Sequence, residues 1–263
     1  MLRSLYAGVS GMNNFQTKLD VVGNNISNVN TVGFKKDRTT FQDLMSQTTQ
    51  GAMGPTDERG GVNPMQVGTG STLGSIDTLH DQGFRETTED PLDLQIEGDG
   101  YFVVQTPEGR AYTRAGNFYL DEDNNLVNAD GYHVLSDSEE EITIPADAQS
   151  ISIEKDGSIV IVNENNESDT VDAIGLAVFS NPSGLEKMGE NLYRDTQNAG
   201  SQGIETPEEG TAGSIISGAL EMSNVDLAEE FTEMITAQRG FQANTRIINT
   251  SDEILQELVN LKR

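Results

Sequence analysis

Two histidines, His80 and His133, are the first residues to weigh for chemistry, because imidazole is the side chain best suited to acid–base work and metal binding near neutral pH. They stand far apart, and neither has a second ligand at metal-site spacing, so both read as ordinary surface or sheet residues. Gly68, Gly70 and Gly74 give G-x-G-x-x-x-G, one residue off a dinucleotide-binding turn and with no strand before it, which reads as a loop. Asp121, Asp123 and Asn125 begin like a calcium loop. Position six is Leu126 instead of Gly and position twelve is Tyr132 instead of Glu, so a hairpin turn is the better reading. Carboxylates number 43, so some pair will always lie close, and proximity alone does not mark a general acid and base. No Ser/His/Asp or Cys/His arrangement stands out. The expectation is a protein that is not an enzyme, with no catalytic, cofactor-binding or metal-binding residues.

The charge distribution narrows the classes further. Across 263 residues the formal net charge is -27. Residues 1–40 carry five basic and two acidic side chains, and residues 224–263 four basic and seven acidic, so the middle holds the excess. Such a surface repels phosphates and argues against nucleic acid as a partner. No apolar run is long enough to span a bilayer, so membrane insertion is not expected. The opening MLRSLYAGVSGM is too short an apolar stretch for a secretory signal, and Asn13, Asn14 and Gln16 interrupt it. The absence of cysteine removes any disulfide or thiolate framework.

Elements follow from periodicity. Leu227, Phe231, Met234, Gln238, Phe241, Thr245, Ile248, Asp252, Leu255 and Val259 recur at spacings of four and three, a heptad seam on one helix. Ser223, Asn224 and Asp226 offer N-caps, Glu229 and Glu230 occupy the first turn, and Lys262 and Arg263 suit the last. Leu2, Leu5, Val9, Met12, Leu19 and Ile26 repeat the rhythm at the other end, though Gly8, Gly11 and Gly23 each cost a helix about 1 kcal/mol. Asn24 to Gly33 then breaks the pattern and reads as a helix end and bend. Between the ends the period is two: Leu92, Leu94 and Ile96, then Tyr101 to Val104, Tyr132 to Leu135, Ser158 to Val162 and Ile174 to Phe179, separated by Gly- and Asp-rich turns. The predicted fold class is α+β. Its N- and C-terminal helices form an antiparallel coiled coil, and an antiparallel β-rich domain is inserted between them. The expected parts are 1–30, an N-terminal helix; 31–75, an extended connector; 76–223, the β-rich domain; and 224–263, a C-terminal helix. Six apolar side chains on the first seam, at about 1.5–3 kcal/mol each, do not offset the cost of ordering nearly thirty residues. Neighbouring copies are the natural source of further burial.

The motifs NNISNVNTVGFK (Asn24 to Lys36), DGYFVV (Asp99 to Val104), YTRAGNFYLDEDNNLVNADGYHVL (Tyr112 to Leu135), GENLYRDTQNAG (Gly189 to Gly200) and the stretch Ser223 to Leu258 are highly specific together. Over essentially its whole length the chain resembles the axial proteins of the bacterial flagellum, the rod and hook family. The resemblance implies a subunit of a hollow helical tube, with the paired terminal helices lining the inner layer and the β domain outside. It implies export through the flagellar type III apparatus without signal cleavage, and a place in the basal body or the extracellular hook. The implied partners are other copies of the chain, adjacent rod and hook–filament junction proteins, and a hook cap during assembly. Within the family, AQRGFQAN at Ala237 to Asn244, YAGVSGM at Tyr6 to Met12 and the ending ELVNLKR are similar to short, Bacillus-type hook subunits. On these the expected product is the hook, the flexible joint between rod and filament. MQVGTG at Met65 and LHDQG at Leu79 are instead similar to the distal rod, the alternative. The expected subunit-interface residues are Leu2, Leu5, Val9, Met12, Leu19, Ile26, Leu227, Phe231, Met234, Phe241, Ile248, Leu255 and Val259. The expected hinge is Asn24, Asn25, Asn28, Asn30 and Gly33.

Overall fold

A computed structural model describes residues 2–55, 59–145, 148–163, 168–208 and 210–260. It is α+β, with two helices and many short, mostly antiparallel strands. The chain divides into two compact units: Met1–Ser27, Asp37–Asp77 and Asp226–Arg263 form the first, and Asn28–Lys36 with Thr78–Val225 the second.

The first unit is built on helix α1 (Leu2–Ser27) and helix α2 (Leu227–Asn260). Of the three cap candidates, Asp226 does the capping: its Oδ1 accepts the amides of Ala228 at 2.7 Å and Glu229 at 3.4 Å, satisfying donors that have no partner inside the helix. Lys262 and Arg263 lie outside the described residues. Part of the stretch read as a connector is sheet. Asp37–Asp43 pairs with Ser71–Thr78, and Gln47–Gln50 runs antiparallel to Met65–Val67. These strands rest on α1, where Phe15 meets Phe41 with ring centroids 6.3 Å apart and Asn14 donates to Ser71. Gly70 has φ +128°, and a Cβ there would stand 2.4 Å from the Ser10 hydroxyl. Alternation in 31–75 is weak because this sheet covers helix on one side only and most of its residues remain exposed.

In the second unit the central strand is Tyr101–Thr106. It forms a hairpin with Gly109–Thr113 and on its other edge pairs with Leu176–Phe179 and then His133–Val134. Side chains alternate across it. Phe102 and Val104 enter a core with Leu94, Ile96, Ile142, Ile161 and Ile174, while Tyr101 and Val103 enter a second with Tyr112, Phe179 and Tyr193. Both faces of this strand are therefore covered. A three-stranded meander (Ala148–Ile153, Ser158–Asn163, Ser168–Ala173) contributes Ile153, Ile159 and Ile161 to the first core. Asp121 to Asn125 is the turn of a hairpin, with Leu120 opposite Leu126.

Candidate assembly interface

Helices α1 and α2 lie side by side and run in opposite directions. Proceeding along α1, Gly8 meets Ile248, Gly11 meets Asn244, Phe15 meets Gly240, Lys18 pairs with Glu233 at 3.2 Å, and Asn25 reaches Glu230. The contact line is made largely of small and polar residues, with Ile248 and Phe15 set against the glycines. A Cβ on Gly240 would stand 2.6 Å from the Phe15 ring, and one on Gly11 2.8 Å from the Asn244 amide. The glycines that weaken α1 as an isolated helix are where the partner helix comes close. Gly23 is different, with nothing within 4 Å of where its Cβ would be.

This places the predicted interface residues in two groups. Leu5, Met12, Leu19, Ile26, Met234, Phe241, Ile248 and Leu255 are half-buried along the flanks of the contact line. Val9, Leu227, Phe231 and Val259 are exposed, as are Tyr6, Ile235, Ile247 and Ile254, which the heptad reading passed over. The side chain of Leu2 lies outside the described residues. The most buried positions on α2 are Glu230, Ala237 and Ser251, spaced by seven and fourteen, so the buried seam is offset from the expected one. Two of the three are polar, and a search for apolar repeats does not find them.

The predicted hinge residues fall on both sides of the helix end. Asn24 and Asn25 lie within α1, and Asn25 is buried. Its side chain accepts the Asp37 amide at 3.0 Å and donates to the Asp37 carbonyl at 2.9 Å and to Glu230 at 3.2 Å. It thus fastens the end of α1 to the first strand and to α2. Asn28 and Asn30 lie in the turns after the helix. Gly33 has φ +69°, its amide donates to the Glu221 carbonyl at 2.8 Å, and a Cβ would stand 2.6 Å from the Ala115 nitrogen. No other residue type fits there without strain.

Beside Gly33 is a feature that sequence reasoning did not reach. Lys35 and Glu221 are wholly buried and Arg114 nearly so. Lys35 Nζ donates to Glu221 Oε1 at 2.6 Å and to the Asp81 carbonyl at 2.8 Å. Arg114 Nη1 donates to Glu221 Oε2 at 3.2 Å and Nη2 to the Gly98 carbonyl at 2.9 Å. The Gly83 amide completes the carboxylate at 2.9 Å. Burial pushes the Glu221 carboxyl up, but Arg114, Lys35 and the Gly83 amide outweigh it and hold the group below its ordinary value. Burial pulls Lys35 below the ordinary lysine value, against the opposing pull of Glu221. Arg114 also stands 5.1 Å over the Tyr101 ring, whose phenol burial pushes up to about 12. The Tyr101 hydroxyl bonds His80 Nδ1 at 2.6 Å. His133 Nδ1 is buried with no partner among the described residues. No group of His, Asp and Glu among the described residues could hold a metal.

The arrangement is one of packing faces and a buried fastening. Residues 95–161 match the family described as the flagellar hook protein FlgE/F/G D1 domain, residues 216–261 the flagellar basal body rod FlgEFG protein C-terminal family, and residues 5–35 the flagella basal body rod protein family. A protein named flagellar basal-body rod protein FlgG from Bacillus subtilis (strain 168) is 57% identical over 264 residues, covering both chains completely.

This chain belongs to the flagellar rod and hook family.

A second rod relative, FlgG of Caulobacter vibrioides, is 39% identical over 99% of this chain and all of its own. A hook relative, FlgE of Borreliella burgdorferi, is 30% identical, with both chains wholly covered, but the alignment runs to 443 residues. As a member of this family the chain is a structural protein of the flagellar basal body and hook, not an enzyme. No helix among the described residues is long and apolar enough to cross a membrane.

Proposed function

We propose that this chain is a distal rod subunit that polymerises with copies of itself into the hollow drive shaft of the flagellar basal body. The observation that carries the reading is length parity at high identity: the rod relative matches end to end over 264 residues, while the hook relative needs 443. The hook preference drawn from AQRGFQAN and YAGVSGM gives way, because those motifs sit in the terminal helices that rod and hook subunits share. The α1–α2 pair serves as an antiparallel coiled coil lining the inner layer. Its support is the run of contacts from Gly8–Ile248 to Asn25–Glu230. Exposed Val9, Phe231, Ile235 and Ile254 supply the faces that neighbouring copies cover. Asn28, Asn30 and Gly33 redirect the chain after α1. Adjacent partners are other rod and hook proteins, and delivery is through the flagellar type III export apparatus without signal cleavage.

The test is immunogold labelling of purified hook–basal bodies with an antibody to this chain. Label confined to the straight internal shaft is expected, and label along the curved external segment would return the assignment to the hook.

A further inference from the structure

The buried cluster of Lys35, Glu221 and Arg114 contains two cations and one anion. Arg114 alone balances Glu221, and the Gly83 amide already occupies Glu221 Oε1. Lys35 therefore adds a second positive charge to a dry site that would be neutral without it. An extra buried cation is a poor source of stability. What Lys35 does supply is position. The bonds around it all fix one short segment: Gly33 to the Glu221 carbonyl, the Lys36 amide to Asn224 Oδ1 at 2.8 Å, and the Leu79 amide to the Lys36 carbonyl at 2.9 Å.

We infer that Lys35 is a register pin, which holds Asn28–Lys36 in a single alignment on the second unit at no net gain in stability. A slip of one residue would bring Phe34 or Lys36 to the Glu221 carboxylate. The same slip would put Val32 or Phe34 where φ is +69° and a Cβ meets the Ala115 backbone. Both penalties oppose the slip that brings up Phe34, while the glycine alone opposes the one that brings up Lys36, so the pin and the glycine between them specify one alignment. For a subunit repeated many times in one tube, a single alignment of the segment that follows α1 keeps every copy alike.

The test uses the full-length chain, dilute and monomeric, with Lys35→Met, which keeps the stem and removes the charge. Thermal unfolding of the second unit is expected at or above the wild-type midpoint. Amide exchange at Gly33 and Leu79 is expected to rise by about tenfold or more, while the ladder between Tyr101–Thr106 and Gly109–Thr113 exchanges as before. Unchanged exchange at Gly33 would overturn the pin. So would a lowered midpoint with uniform acceleration, or a chain that no longer folds, because either makes Lys35 a stabilising residue. Glu221→Gln provides the contrast: it leaves two cations facing each other and lowers the midpoint whichever role Lys35 has.

Discussion

Glu221 is held by two cations and an amide in a site from which water is excluded, so its ionised form is built into the fold. Its carboxyl lies below the ordinary value in the folded chain. A depressed carboxyl adds stability above its unfolded-state pKa, and that stability is lost as pH falls through the folded one. Glu221 is the one anion of the cluster, and breaking a buried ion pair so that its cations are left unpaired typically costs about 3–5 kcal/mol. Glu221→Gln is accordingly expected to destabilise the second unit by about that much at pH 7. The gap between variant and wild type should narrow as pH is lowered below the ordinary carboxylate range. Urea unfolding followed by near-ultraviolet circular dichroism at pH 7, 5 and 3 measures it. A gap that is constant with pH would mean that Glu221 acts by shape alone. None of this is legible in the chain as written. Lys35 stands beside Lys36 and reads as a solvated charge, and its partners are 46 and 186 positions away.

At the scale of elements, the strands of the second unit were the readable part. Tyr101 to Val104 is apolar throughout, and the structure explains why: each of its faces has a core of its own. The start of α2 was readable from Asp226 and the acidic first turn. The phase of the helix pairing was not, because on α2 the most buried positions are Glu230, Ala237 and Ser251 and the close approaches on both helices are at glycines, which carry little hydrophobic signal. The glycines can be told apart by substitution. Gly23→Ala meets nothing and should raise the thermal midpoint of the helical signal through about 1 kcal/mol of helix propensity. Gly240→Leu drives a side chain into the Phe15 ring and should lower it, as should Gly8→Leu against Ile248. Circular dichroism at 222 nm on the full chain assembled into tubes, where the helices are ordered, reads both. If Gly240→Leu were as benign as Gly23→Ala, the close approach of the helices would not govern their pairing.

At the scale of the whole molecule the two helices are long for the little they bury. Over 26 and 34 residues, the buried positions within them include few large apolar side chains, Val22 foremost, while Tyr6, Phe231, Ile235, Ile247, Ile254 and Val259 face outward. Ordering a residue's backbone costs about 1–2 kcal/mol, and a contact line of glycine and polar groups recovers less of that than a leucine seam would. The second unit has two apolar cores and stands on its own packing. Order in the helices should therefore depend on neighbours, with folding and assembly coupled. In dilute monomer the amides of α1 and α2 are expected to exchange rapidly, while the ladder between Tyr101–Thr106 and Gly109–Thr113 stays protected. In assembled tubes all of them should be protected. Phe231→Asp separates the two steps: its side chain is 49% exposed in the single chain, so the monomer's exchange pattern should not change. Polymerisation followed by light scattering should fail, because a neighbour covering that position would bury an unpaired carboxylate. Strong protection of both helices in a verified monomer would show that the pair is stable alone. Normal polymerisation of the Phe231→Asp chain would remove this face of α2 from the contacts between copies.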